Sequence, residues 1–259
     1  MRDALRRHWP EYLLEAAGLG LFMIAACLFG ALLEHPGSPV RQALPDGGVR
    51  RLLMGLAMGG TAAALIYSPW GQRSGAHLNP SVTLTFLRLG KVTPEDAVFY
   101  AIAQALGGVL GVVLSALLLR GALAHPAVAF VATVPGPAGP GVAFAAEAVI
   151  SFVLILTVLS VSSSRRPRLT GFAAAVLVAA WIAFEAPFSG MSMNPARTVA
   201  SALPSGIWTG AWIYFVAPPL GMLLAAETFG TLTRWQAQHC AKLDHAPGVR
   251  CIFCEASAA

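Results

Sequence analysis

The chain has 259 residues, of which 56% are hydrophobic and 11% are charged, and its mean hydropathy is +0.67. Soluble domains carry about 25% charged residues, so this composition excludes an ordinary soluble protein and predicts a membrane protein. The net charge of +5 is carried mostly by the connections between apolar segments, and it calls for no nucleic acid partner.

Six apolar segments are long enough to cross a bilayer as helices. They comprise residues 11–33, 50–68, 95–119, 141–163, 168–186 and 208–230. The first follows three arginines and has features of a signal peptide. Its pattern recurs later in the chain, which favours a retained helix.

A short motif occurs twice, as SGAHLNPS at 74–81 and as SGMSMNPA at 189–196. Asparagine is a favoured N-cap and proline a favoured first helical residue, so each copy predicts the start of a helix. A helix over 79–89 would be roughly 16 Å long, about half of the ~30 Å hydrocarbon core. The helix predicted over 194–203 is similar in length.

The two halves of the chain repeat each other. Glu15 and Glu147 lie near the start of corresponding segments, and Gly107 and Gly221 lie at matching distances beyond the two motifs. With three segments each, the halves insert in opposite orientations, which is an inverted repeat. The two half-helices then enter from opposite faces and meet near the midplane. Irregular backbone at that depth requires a water-filled path or burial in protein, so the sequence predicts a pore.

Lysine and arginine are unevenly distributed between the two sides of the predicted bundle. Four arginines lie on one side (Arg41, Arg50, Arg51 and Arg120), and twelve basic residues lie on the other: Arg2, Arg6, Arg7, Arg73, Arg88, Lys91, Arg165, Arg166, Arg168, Arg234, Lys242 and Arg250. The positive-inside rule predicts that both termini are cytoplasmic. We expect a multi-pass protein of the cell membrane, which is the inner membrane in a bacterium. Its channel domain would cover 1–234, with repeats over about 11–119 and 141–230, and its cytoplasmic tail 235–259.

The paired motifs resemble the two signature loops of the aquaporin or major intrinsic protein family, and the resemblance covers about residues 11–230. It implies an all-α membrane protein with six transmembrane helices and two re-entrant half-helices. It also implies a passive channel and not an enzyme, without a cofactor, assembled as a homotetramer in the lipid bilayer. The pore residues implied are Asn79, Pro80, Ser81, Asn194, Pro195 and Ala196, with Ser81 in place of the family's usual alanine; Glu15 and Glu147 match its buried glutamates.

The physics of such a pore explains its selectivity. Two helix N-termini that meet at the centre carry partial positive charges and repel cations and hydronium, a device known in aquaporin-type pores. The amides of Asn79 and Asn194 can donate to one permeating oxygen, which interrupts proton hopping. The backbone carbonyls of 75–77 and 190–192 would form a ladder of acceptors. We therefore predict a water channel that excludes ions and protons.

The family's outer constriction corresponds by residue counting to Gly59, Ile182, Met191 and Arg197. Glycine in place of a large aromatic side chain predicts a wide constriction, so small neutral solutes such as glycerol are a second predicted permeant. If the register shifted by one residue, Met58 would take the place of Gly59 and narrow the pore.

Each of these residues also has a plainer interpretation. A single Asn-Pro pair fits an ordinary helix cap, and Arg197 would fit a headgroup anchor at the interface. His77 is predicted to hydrogen-bond beneath the first loop, with a pore ligand as the alternative. Glu15 and Glu147 are predicted to accept backbone N–H bonds from the loops, with a proton relay as the alternative.

The tail contains Cys240, Cys251 and Cys254, with His239 and His245 nearby. These residues could form a zinc site. The single C-x-x-C and the irregular histidine spacing favour reduced, solvated thiols instead, so we expect no bound metal.

An ion-coupled secondary transporter is the alternative function, because such proteins also have inverted repeats and broken helices. A transporter needs a buried acidic or basic group at the midplane to bind the coupling ion. Glu185 is the nearest candidate, and it is expected at the outer mouth.

Overall fold

A computed structural model describes residues 1–233, 240–246 and 248–254, and within them the chain is helical. The predicted residues Arg234 and His239 lie outside the described part. The α-helices are α1 (Arg2–Glu34), α2 (Pro39–Ala43), α3 (Gly47–Tyr67), α4 (Pro69–Ser74), α5 (Pro80–Arg88), α6 (Pro94–Leu119), α7 (Gly121–Ala124), α8 (Pro140–Ser162), α9 (Thr170–Phe184), α10 (Ala186–Ser189), α11 (Pro195–Ser205) and α12 (Ala211–Thr233).

Six helices in the described residues are long and apolar enough to cross a membrane. They are α1, α3, α6, α8, α12 and the span Pro167–Phe184, which contains α9. This architecture confirms the predicted all-α membrane fold. The first helix begins at Arg2, well before the predicted residue 11. Its polar first turns stay helical because His8 and Tyr12 both bond the carboxylate of Asp96 on α6, at 2.8 and 2.6 Å.

Small residues bring the long helices of each half close together. A methyl group added at Gly107 on α6 would overlap the carbonyl of Ala16 on α1. In the second half, a methyl group at Gly221 on α12 would overlap the carbonyl of Ala148 on α8 in the same way. The repeat seen in the sequence is therefore a repeat of helix contacts, in which the same small residue permits the same close approach.

The half-helices α5 and α11 lie inside this bundle and point their N-termini toward each other. We call the face on which α1 begins the terminal face, and the other side the opposite face. The chain reaches α5 from the terminal face, after the end of α3, and reaches α11 from the opposite face, after the end of α9. The loops that lead into them, 75–79 and 190–194, are the first loop and the second loop below.

Candidate functional site

The two asparagines of the chain are Asn79 and Asn194, and each caps a half-helix. The side-chain oxygen of Asn79 accepts the N–H of Ser81 at 2.8 Å, and that of Asn194 accepts the N–H of Arg197 at 3.1 Å. Pro80 and Pro195 occupy the first helical position, where a missing N–H costs nothing. Ala196 is buried against α6, and the buried Ser81 takes the equivalent position on α5.

The asparagine amides also tie the two loops together. Nδ2 of Asn79 donates to the carbonyl of Met193 at 2.7 Å, and Nδ2 of Asn194 donates to the carbonyl of Leu78, also at 2.7 Å. An amide has two N–H groups, so each asparagine keeps a second donor after making this bond. The crossed pair fixes both side chains where the half-helices meet.

Both loops have the same unusual backbone. Gly75 and Gly190 end the preceding short helices at φ of 101° and 79°, where a side chain would be strained. Four further residues lie in the left-handed region although they are not glycine: Ala76, Leu78, Met191 and Met193, at φ between 50° and 54°. Such a conformation costs roughly 1–2 kcal/mol per residue, so both loops need bonds from outside to hold them.

Two fully buried glutamates supply those bonds. The carboxylate of Glu15 accepts from the N–H groups of His77 and Leu78 at 3.1 and 2.6 Å, and also from Ser74 Oγ and Gln104 Nε2. The carboxylate of Glu147 accepts from the N–H groups of Ser192 and Met193 at 2.6 and 2.7 Å, and from Ser189 Oγ at 2.9 Å. Both carboxylates are thus engaged by the loops.

Two tyrosines brace the loops in a way that our sequence reasoning missed. Tyr100 donates its hydroxyl proton to the carbonyl of Ser74 at 2.6 Å, and Tyr214 donates to the carbonyl of Ser189 at 2.5 Å. The signal was present, since the two tyrosines are offset by nearly the same number of residues as the two serines.

A cavity of about 490 Å³ runs past both loops. Asn79 and Asn194 line it together with Ile182, Met191 and Arg197. Arg197 keeps one guanidinium nitrogen without a protein partner, in a cavity that can hold water. These five predicted site residues therefore lie along one passage, and His77, predicted to support the first loop, lines it as well.

Gly59, which residue counting predicted in the outer constriction, is not among the residues that line this cavity. A methyl group at Gly59 would overlap the carbonyl of Ala175 on α9, so this residue lies in the contact between α3 and α9. Met58 lines the cavity instead and is 1% exposed. The reason is helix packing: Gly55 and Gly59 form one small-residue face that permits close approach, which turns Met58 toward the cavity.

The first loop is covered by part of the tail, which we call the tail segment (residues 240–246 and 248–254). His77 Nε2 donates to the carbonyl of Ala241 at 2.8 Å, while its Nδ1 lies 3.0 Å from Thr83 Oγ1. The N–H of Leu243 donates to the carbonyl of Gly75 at 3.1 Å, so the tail uses one acceptor of the predicted ladder. Leu243 also lines the cavity.

The predicted solvated thiols are wrong for two of the three tail cysteines. Cys240 and Cys251 are buried, and their sulfurs lie 3.4 Å apart. The tail segment packs against the bundle, and this packing removes these thiols from solvent. Cys254 is exposed, and its sulfur lies 3.3 Å from His245 Nε2.

Comparison with known proteins agrees with this architecture. The sequence profile of the family described as "Major intrinsic protein" matches residues 5–229. An X-ray structure of the aquaglyceroporin from Plasmodium falciparum superposes with a TM-score of 0.70, at 20% sequence identity, over 87% of this chain and 97% of that chain. At that identity the likeness shows the fold.

Sequence relatives give the same result. Aquaporin-4 of Rattus norvegicus is 33% identical over 227 residues, which are 85% of this chain and 66% of that protein. Aquaporin A of Dictyostelium discoideum is 35% identical over 200 residues, or 72% of this chain and 68% of that protein. The matched region spans 56% of mouse Aquaporin-4, so the relatives are longer than the region shared. The chain belongs to the major intrinsic protein family.

Proposed function

We propose that this protein is a passive transmembrane channel for water, with both termini in the cytoplasm and one pore in each subunit of a homotetramer. The observation that carries the proposal is the crossed pair of asparagine bonds, from Asn79 to Met193 and from Asn194 to Leu78, beside a cavity of about 490 Å³. Each asparagine retains one N–H donor for a permeating oxygen, and the positive ends of α5 and α11 repel cations there.

The charged groups along the cavity favour a channel over an ion-coupled transporter. Glu34 is the carboxylate that lines the cavity among the described residues, and Arg50 binds it in a two-point ion pair at 3.0 and 3.2 Å. Glu15 and Glu147 are occupied by loop donors, Glu11 is paired with Arg73, and Glu185, the predicted transporter candidate, does not line the cavity. A coupling cation would therefore lack a vacant carboxylate at the centre of the passage.

The side chains of the passage favour water over larger solutes. Met58 fills the place for which the sequence predicted glycine, and Ile182, Met191 and Arg197 also line the cavity. We propose that Arg197 and these three apolar side chains select the permeant, and that glycerol passes more slowly than water.

Light scattering on reconstituted vesicles tests the channel. We expect water flux well above that of empty vesicles, linear in the osmotic gradient and independent of a proton gradient. Saturation with solute or dependence on the proton gradient would contradict the proposal and favour the transporter. Met58→Gly should raise glycerol flux relative to water flux, because it removes the side chain that narrows the passage.

The same vesicles test ion and proton exclusion with a pH-sensitive dye. Asn194→Asp places a negative charge where the half-helices meet, and Arg197→Val removes the positive charge from the passage. Both should increase proton or cation leak. The exposed Arg165 provides the matched control, since Arg165→Val should leave the leak unchanged. An unchanged leak in Arg197→Val would refute the proposed role of Arg197.

A further inference from the structure

Four potential metal ligands converge in the tail segment. They are Cys240 Sγ, Cys251 Sγ, Cys254 Sγ and a ring nitrogen of His245, and these atoms all lie within 4.8 Å of one another. The closest measured pairs are 3.4 Å between Cys240 and Cys251, and 3.3 Å between Cys254 and His245 Nε2. In a tetrahedral zinc site with Zn–S bonds of about 2.3 Å, neighbouring sulfurs lie roughly 3.8 Å apart. The four atoms thus need only small shifts to surround one ion.

The chemistry of the ligand set selects the ion. Three cysteines with one histidine are a common set for structural zinc, which prefers four ligands in a closed tetrahedron. Two of the sulfurs are buried, whereas His245 and Cys254 are exposed, which gives the ion an entry path from solvent.

Backbone donors and a cation lie beside the cluster. Backbone N–H groups two residues further along the chain, those of Lys242 and Phe253, bond the sulfurs of Cys240 and Cys251. Three thiolates and one Zn²⁺ carry a net charge of −1, and the buried Lys242, whose Nζ donates to the carbonyl of Arg250 at 2.6 Å, lies in the same segment.

The tail segment contains no helix or strand in its described residues, and loops of this kind are costly to order. A bound metal can supply that order, because its binding free energy becomes folding free energy.

The cluster is also the anchor of the contacts that cover the first loop. The ring of Phe253, between Cys251 and Cys254, stacks on His77 with 5.5 Å between ring centroids. Between Cys240 and His245, Leu243 bonds the carbonyl of Gly75 and Asp244 accepts from Gln72 Nε2 at 2.8 Å. A metal that fixes the four ligands would therefore also fix the groups between them against the loop.

We propose that Cys240, His245, Cys251 and Cys254 bind one Zn²⁺ ion, and that this ion holds the tail segment across the passage at the terminal face. Leu243, which is 7% exposed, then closes that end of the cavity. The closure of the passage rests on the proposed channel function, whereas the metal site does not depend on it. Zinc should lower the water permeability, and a chelator should raise it.

Metal content of the purified full-length protein tests the site directly. We expect one zinc per chain, and cobalt should give the charge-transfer and visible bands of tetrahedral thiolate coordination. Cys251→Ala and Cys254→Ala should lose the zinc and those bands. Cys27→Ala is the matched control, because Cys27 is buried in α1 outside the cluster, and it should keep both. Less than one zinc per chain in the wild type, equal zinc in Cys251→Ala, or a disulfide between Cys240 and Cys251 in the protein purified without added oxidant would overturn the site.

Water flux with zinc or chelator then tests closure of the passage. We expect a higher flux after chelation of the wild-type protein, and a high flux that is insensitive to zinc in Cys251→Ala. Zinc bound without any change in flux would overturn closure and leave the site standing. Absence of flux in all conditions would instead refute the channel function, and the metal content would still decide the site.

Discussion

The first and second loops have the same backbone, but their surroundings differ. Each has a left-handed glycine, two further left-handed residues, a buried glutamate and a bracing tyrosine. At the position of His77, however, the second loop has Ser192, which bonds Thr198 within its own half-helix at 2.7 Å. His77 likewise contacts Thr83 of its own half-helix, at 3.0 Å, but its second ring nitrogen also donates to the carbonyl of Ala241 in the tail segment. The shared features build the passage, and this difference connects one end of it to the tail.

This comparison separates two kinds of residue. Those that repeat between the halves hold the loops in a conformation that the loops would not adopt alone. Those that do not repeat, His77 above all, give the terminal face a property that the opposite face lacks. Substitutions in matched pairs can therefore test which interactions serve the fold and which serve the tail.

The largest effect is expected for the two buried glutamates. Glu147→Ala leaves Ser189 Oγ and the N–H groups of Ser192 and Met193 without their acceptor, at about 1–3 kcal/mol for each group. We expect a large drop in the thermal unfolding temperature in detergent and loss of water flux. Glu15→Ala should show the smaller drop when zinc is bound, since the tail segment also holds the first loop. Unfolding of Glu147→Ala at the wild-type temperature would show that this brace is not needed.

A smaller effect is expected for Leu243→Ala, which tests the asymmetry. Burial of a leucine side chain is worth about 2 kcal/mol, and a loss of that size shifts a docked–undocked equilibrium by about thirty-fold. Water flux of the zinc-loaded protein should therefore rise. Leu203→Ala at the far end of α11 is the control, because Leu203 is 58% exposed and does not line the cavity. Equal flux in both variants would contradict closure by Leu243.

The smallest effect is expected for the two tyrosines. Tyr100→Phe and Tyr214→Phe each remove one hydroxyl that donates to a serine carbonyl, at about 1 kcal/mol. The two variants should lower the unfolding temperature by similar amounts, and the flux should persist because the ring packing is kept. A clear difference between them would show that the loops are not equivalent even in the features that repeat.

The sequence predicted the helices, the half-helices and the repeat, because these depend on local signals. Apolar length identifies a spanning helix, an Asn-Pro pair identifies a helix start, and equal offsets identify the repeat. The loop bonds of Glu15 and Glu147 also followed from the sequence, since a buried carboxylate beside unpaired backbone N–H groups has few other partners.

Two features were decided by the tertiary structure. Whether Met58 or Gly59 faces the passage depends on which side of α3 packs on α9, and a one-residue change in register reverses the answer. Cys240 and His245 have no regular spacing from the C-x-x-C of the tail, so only the docking of the tail segment brings the four side chains together. Local patterns encode where helices begin, whereas contacts between distant residues arise only when the bundle has closed.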